Sequence, residues 1–289
     1  MNATVLATGL HFGEGPRWHH GKLWFSDFYD HAVKTVDLEG RVETKVEVAG
    51  QPSGLGWLPD GRMLIVSMLD RTVVRLDSER LVVHADLSQI AGFHCNDMVV
   101  DIRGRAYVGN FGFDLDEAMA TRGVADVLAT HATAAIALVQ PNGAVSVAAE
   151  GLSFPNGMVI NPEGKQLIVA ETLGGRLTSF NIGGDGSLSK RKTWAETTGR
   201  VPDGICLDAQ GAVWFANPLA PECVRIAKGG QVLQVVETDQ PCFACMLGGP
   251  DGQTLFMLTA GTSVAAAAAQ ERTGNVLVTR VVAPHAGFP

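Results

Sequence analysis

The chain has 289 residues, 46% of them apolar, and 22 basic against 30 acidic side chains, for a net charge of −8. That is enough apolar material for a large core, but no basic stripe exists to neutralise phosphates or favour an anionic membrane surface, so neither nucleic acid nor membrane is an expected partner. No helix-type apolar run is long enough to span a bilayer, and the opening MNATVLATGLHFGEG lacks the basic and apolar regions of a leader.

In chain order, the opening ATVLATG reads as a strand, expected to pair with the last strands and close a ring. Six related segments follow. They are GEGPRWHHGKLWFSDF from Gly13, PSGLGWLPDGRMLIVSM from Pro52 and CNDMVVDIRGRAYVGN from Cys95, then PNGMVINPEGKQLIVAET from Pro155, PDGICLDAQGAVWFAN from Pro202 and FACMLGGPDGQTLFMLTA from Phe243. Each has a short strand, a turn ending in glycine (Gly21, Gly61, Gly104, Gly164, Gly211, Gly252) and a strongly apolar second strand. Glycine suits such turns because positive φ costs it nothing. Runs such as VVRLDS, AIALVQ, RLTSFNI and VRIAKGG lie between the hairpins and complete four-stranded units. Blades of about 40–45 residues are the signature of propellers. The expectation is an all-β, six-bladed β-propeller forming a single domain over residues 1–289.

Two stretches depart from the repeat. An insertion, about Phe111 to His131, has helical or loop composition, which suits either a lid or binding loop or a disordered surface loop. SVAAAAAQERTG in the last repeat is expected to be a solvent-facing turn with local helicity. The five cysteines, Cys95, Cys206, Cys223, Cys242 and Cys245, form no paired framework. Reduced thiols in a cytoplasmic protein are expected. His19 and His20 are expected to be exposed, and Asp27, Asp60, Asp101, Asp208 and Asp251 to serve turns or caps.

One position of the repeat is polar. Eight residues before the turn glycines stand Ser53, Asn96, Asn156, Asp203 and Ala244; seven before Gly21 stands Glu14, where the turn would be one residue shorter. In a propeller these positions converge near the axis. Glu14, Asn96, Asn156 and Asp203 are strong oxygen donors, and burying them together is costly unless they are paired or bound to metal. Two carboxylates and two amides form a hard, all-oxygen set suited to a divalent cation at a central metal site.

Glu14-Gly15-Pro16 with Trp18, Asn96-Asp97, Phe154-Pro155-Asn156-Gly157, Pro202-Asp203-Gly204 and the late GGPDGQTLFMLTA together resemble the senescence-marker-protein (regucalcin)/gluconolactonase/luciferin-regenerating enzyme family. The resemblance implies a six-bladed propeller holding one divalent metal through Glu14, Asn156 and Asp203, with Asn96 as a further metal or substrate contact. It also implies hydrolysis of a small-molecule lactone. Ca²⁺ comes first as the cation, with Mg, Mn, Fe or Zn as alternatives. Asp203 is the expected catalytic base, and Asn96, His94, Asp97 and Phe154 the expected substrate contacts; Asp97 could instead orient other groups. His94 stands where sugar-lactone members commonly carry an arginine, and Phe93, Cys95, Met98, Phe154, Phe243 and Met246 are apolar neighbours, which favours a less polar lactone. A phosphotriesterase of the same fold, or a non-catalytic Ca²⁺-binding scaffold, would share the ring of ligands. A closed ring suits a monomer or a small homo-oligomer.

Overall fold

Every one of the six glycine-centred turns joins two paired strands in the computed structural model of the chain, which describes residues 3–289. Among them, 24 strands form six four-stranded antiparallel sheets. Sheets one to five each take four consecutive strands, and neighbouring sheets touch through their first strands, with the first strand of blade 6 returning to that of blade 1. The all-β, six-bladed propeller is therefore the fold.

The inner strands are Gly13–His19, Pro52–Trp57, Cys95–Val100, Pro155–Ile160, Ile205–Leu207 and Cys242–Gly248. Packed on both faces, they are almost wholly buried, which is why they read as continuous apolar runs rather than alternating ones. Outer strands such as Val42–Glu47 are nearly all exposed and carry the charges. Blade 6 is completed from the other end of the chain: Thr4–Leu10 pairs with Gly274–Arg280, Val5 opposite Leu277. Gly274–Arg280 is thereby paired on both sides, and Thr4–Leu10 becomes the outer strand of the blade.

The one-residue difference in blade 1 has a simple origin. His19 pairs with Lys22, leaving only His20 and Gly21 in the turn, both at positive φ. That is the two-residue hairpin whose twist matches its strands. His20 is exposed as expected, but His19 is half-buried and stacks on Trp57 at 3.9 Å. Asp27 is no turn residue either. It is fully buried, accepts the amides of His11 and Phe12, and pairs with Lys34. Asp101 and Asp208 do accept turn amides, but are buried against Arg105 and Arg225.

The 111–131 insertion follows the second strand of blade 3 and forms α1 (Leu115–Arg122) and α2 (Val124–Thr130). Asp114 caps α1 by accepting the Glu117 amide at 3.0 Å. The alanine run in blade 6 forms the one-turn α3 (Ala265–Ala268). It is not simply a solvent-facing turn: Ala268 is 1% exposed, packed in a cluster with Phe12, Phe28 and Phe243. All five cysteines are free and buried. Burial pushes the Cys206, Cys223 and Cys242 thiols up, so they stay neutral members of the core. Among the described residues no helix is long and apolar enough to cross a membrane.

Candidate active site at the channel mouth

Because the strands of each blade are antiparallel, inner strands start and second strands end at the same end of the channel. Glu14, Asn96 and Asn156 are the second residues of their inner strands, and Asp203 stands just before Ile205–Leu207. Register breaks between Glu14 and Arg17, Pro52 and Leu55, Cys95 and Met98, and Pro155 and Met158 fall just beyond that position. Such bulges bend a strand and re-aim its side chains. Close approach of neighbouring blades depends on the residue that follows. A Cβ on Gly54 would lie 2.3 Å from the Met98 nitrogen, and one on Gly157 would lie 2.5 Å from the Ile205 nitrogen. Glycine lets the inner strands draw together and carry the polar ring to the axis.

The ring is a chain of hydrogen bonds. The Ser53 hydroxyl donates to Asn96 Oδ1 at 3.2 Å, Asn96 Nδ2 donates to Asn156 Oδ1 at 3.2 Å, and the Asn156 amide reaches the Asp203 carboxylate. Glu14 Oε2 accepts the Gly15 amide at 3.0 Å. Asn96, Asn156 and Asp203 are 6–7% exposed. Asp203 Oδ1 is buried and has no hydrogen-bond partner.

Burial first, then the Asp203 and Asp97 carboxylates, push Glu14 well above the usual carboxylate range. Burial and Asp97 do the same to Asp203, against the Asn156 amide. Two acids that repel each other, Asp203 buried and Glu14 half-buried, and one orphaned oxygen are what a bound cation would relieve. The donor set fits a hard divalent ion: carboxylates of Glu14 and Asp203 and amide oxygens of Asn96 and Asn156. Among the described residues no three His, Cys, Asp or Glu side chains form a cage of their own; this set has two acids, and its other oxygens are amides.

Asp97 stands apart from the ring. Its Oδ1 accepts Arg17 Nη2 at 2.9 Å and the Met98 amide at 2.8 Å. Arg17, buried at 4% exposure, reaches from blade 1 across to the Leu55 carbonyl of blade 2 and the Met98 carbonyl of blade 3. Arg17 also lines a cavity of about 280 Å³ together with Trp57, Phe288 and Pro289. Sequence reading missed Arg17. The only signal was its position three residues after Glu14, and a bulge hides what that spacing means. Ser53 stood in the repeat position, but its part in orienting Asn96 was equally hidden.

His94 and Phe154 lie at the mouth. His94 stacks on Phe93 at 4.0 Å, and burial lowers its imidazole, keeping it neutral. Phe154 stacks on Phe111 at 4.7 Å and holds a left-handed φ of 60°. Overhead, the Asp116 carboxylate of α1 engages the backbone N–H of Ala265 in α3. These helices belong to blades 3 and 6, which face each other across the ring, so the contact arches over the mouth. Asp116 also faces Tyr29 of blade 1; burial, then this carboxylate, push the phenol up to about 12, so it keeps its proton.

Known proteins share this arrangement of blades. The pentonolactonase of Haloferax volcanii is 24% identical over 264 residues, covering 89% of this chain and 84% of its own. The gluconolactonase of Zymomonas mobilis is 23% identical over 88% of this chain and 77% of its own. The solved structure of a calcium-binding protein, regucalcin, from Agrobacterium tumefaciens superposes with a TM-score of 0.79 at 21% identity, over 100% of this chain and 96% of that one. Residues 12–261 match the sequence profile of the SMP-30/Gluconolactonase/LRE-like region, a span that runs from the first inner strand through the second strand of blade 6, and the chain therefore belongs to that family.

Proposed function

We propose that this protein hydrolyses a lactone at the channel mouth, with Glu14, Asn156 and Asp203 holding a divalent cation and Asn96 beside them. The observation that carries the reading is the orphaned Oδ1 of buried Asp203, beside the repelling carboxylate of Glu14. The relatives named pentonolactonase and gluconolactonase support the reaction class. A bound cation supplies Lewis-acid polarisation of the carbonyl and stabilises the charge that forms on it. Ca²⁺ is the first choice for an all-oxygen set.

The chain's own residues do the rest. As water adds to the lactone carbonyl carbon, the Asp203 carboxylate takes its proton. When the ring C–O bond breaks, the same proton passes to the leaving alkoxide, giving a hydroxy acid. Ser53 fixes Asn96, and Asn96 fixes Asn156, so neither amide needs to be reoriented by substrate. Arg17 and Asp97 support the ring from the far side. The arch of α1 and α3 covers the mouth and keeps bulk water away from the bound ester; it moves to admit substrate.

The test is proton release on lactones by chelated enzyme, before and after addition of Ca²⁺, Mg²⁺, Mn²⁺, Fe²⁺ or Zn²⁺, with Asp203→Asn alongside. Cation-dependent turnover lost in the variant is expected. Turnover of a phosphotriester but of no lactone would move the reading to a phosphotriesterase. Cation binding with no turnover of either would leave a binding scaffold.

A further inference from the structure

Resting on the lactonase reading, we infer that the substrate carries an apolar alkyl or aryl group on its lactone ring, held by a collar of aromatic side chains beneath the arch. Phe12, His94 and Phe154 stand two residues before Glu14, Asn96 and Asn156. Each stands one residue before the start of its inner strand, so these residues lie at the same end of the channel as the polar ring. Phe12 lies 4.7 Å from Phe243 and 5.4 Å from Phe28, an arc contributed by blades 6 and 1. Phe154 and His94 meet Phe111, at 4.7 and 6.2 Å, in an arc contributed by blades 3 and 4. Phe154 is held at its left-handed φ while its carbonyl accepts the Thr172 amide at 3.1 Å.

Several polar groups at this end are already engaged. Asp114 caps α1, Asp116 engages the Ala265 amide, Arg71 donates to the Ala91 carbonyl, and His11 Nδ1 lies 3.1 Å from the Ala268 carbonyl. A polyhydroxylated lactone would bring hydroxyl groups against ring faces that give them no partner, which is a strong basis for rejection. An alkyl or aryl substituent gains there by burial and by offset stacking. Phe111 is the specificity-determining residue, because it is half-buried and joins His94 to Phe154.

The experiment compares kcat/KM for δ-decalactone, dihydrocoumarin and glucono-δ-lactone in cation-loaded wild type, Phe111→Ser and Phe111→Leu. A thermal-shift titration with an N-phenyl δ-lactam serves as a binding probe independent of turnover. The apolar lactones are expected to exceed the sugar lactone at least ten-fold. Phe111→Ser should shrink that ratio ten-fold or more through KM, and Phe111→Leu should restore most of it. The lactam should stabilise wild type and not Phe111→Ser. A sugar lactone turned over as well as the apolar ones, or a ratio indifferent to Phe111, would overturn the inference. If no lactone is opened but the lactam still binds through Phe111, the collar stands and the lactone chemistry falls. If the serine variant does not fold, the wild-type ratio and the lactam titration decide alone: a preference for the sugar lactone, or no lactam binding, overturns the collar.

Discussion

Asp203 shows how one side chain can be both a liability and a tool. Its Oδ1 has no partner, and burial, with Asp97 beside it, makes its charge costly. Removing a charge that burial and a neighbouring like charge both oppose relieves that cost. Asp203→Asn is therefore expected to stabilise the cation-free protein by about 1 kcal/mol and to abolish any rise in melting temperature on adding Ca²⁺. A variant that still gains stability from the cation would show that the ligand set is misplaced. Arg17 behaves oppositely. Removing it leaves Asp97 buried and uncompensated, so Arg17→Ala should cost about 3–5 kcal/mol in urea denaturation. The double change Arg17→Met with Asp97→Leu should recover most of that loss. The polar ring was legible in the sequence because an offset of eight residues from the turn glycine picks out Asn96, Asn156 and Asp203, and the shorter turn of blade 1 puts Glu14 at seven. Arg17 was not, because its partners lie on blades 2 and 3, and no spacing along the chain links it to Leu55, Asp97 or Met98.

For the strands, the hairpins were readable because they depend on local chemistry: glycine at the turn and apolar runs on either side. The glycines inside the inner strands are less obvious, since their need arises between blades. Gly157→Ala would force a methyl group into the Ile205 backbone. It should cost about 1–3 kcal/mol, as overpacking does, and weaken cation binding by parting Asn156 from Asp203; calorimetric titration with Ca²⁺ would read this. Unchanged stability and affinity would mean that the blades are not held this closely. The insertion was recognisable as an interruption, but not its course. Asp116 and Ala265 are far apart in sequence, and the alanine run carries no periodic pattern that marks Ala268 as buried.

The whole ring is closed by Thr4–Leu10, which completes blade 6 from the opposite end of the chain. Deleting that strand should expose the Gly274–Arg280 edge, lower the melting temperature and shift the protein toward aggregates in size-exclusion chromatography. A truncated chain that remains monodisperse and equally stable would argue against a sealing role. Closure was anticipated from ATVLATG because six equivalent sheets leave a single place for an extra strand. The arch over the mouth has a different kind of consequence. Its two halves spring from opposite blades and meet through Asp116 and Ala265, so neither half has a use for its length without the other. Across relatives, the loop after Asn110 and the loop after Ala260 should lengthen and shorten together. They are two segments inherited as one trait, although about half the chain separates them.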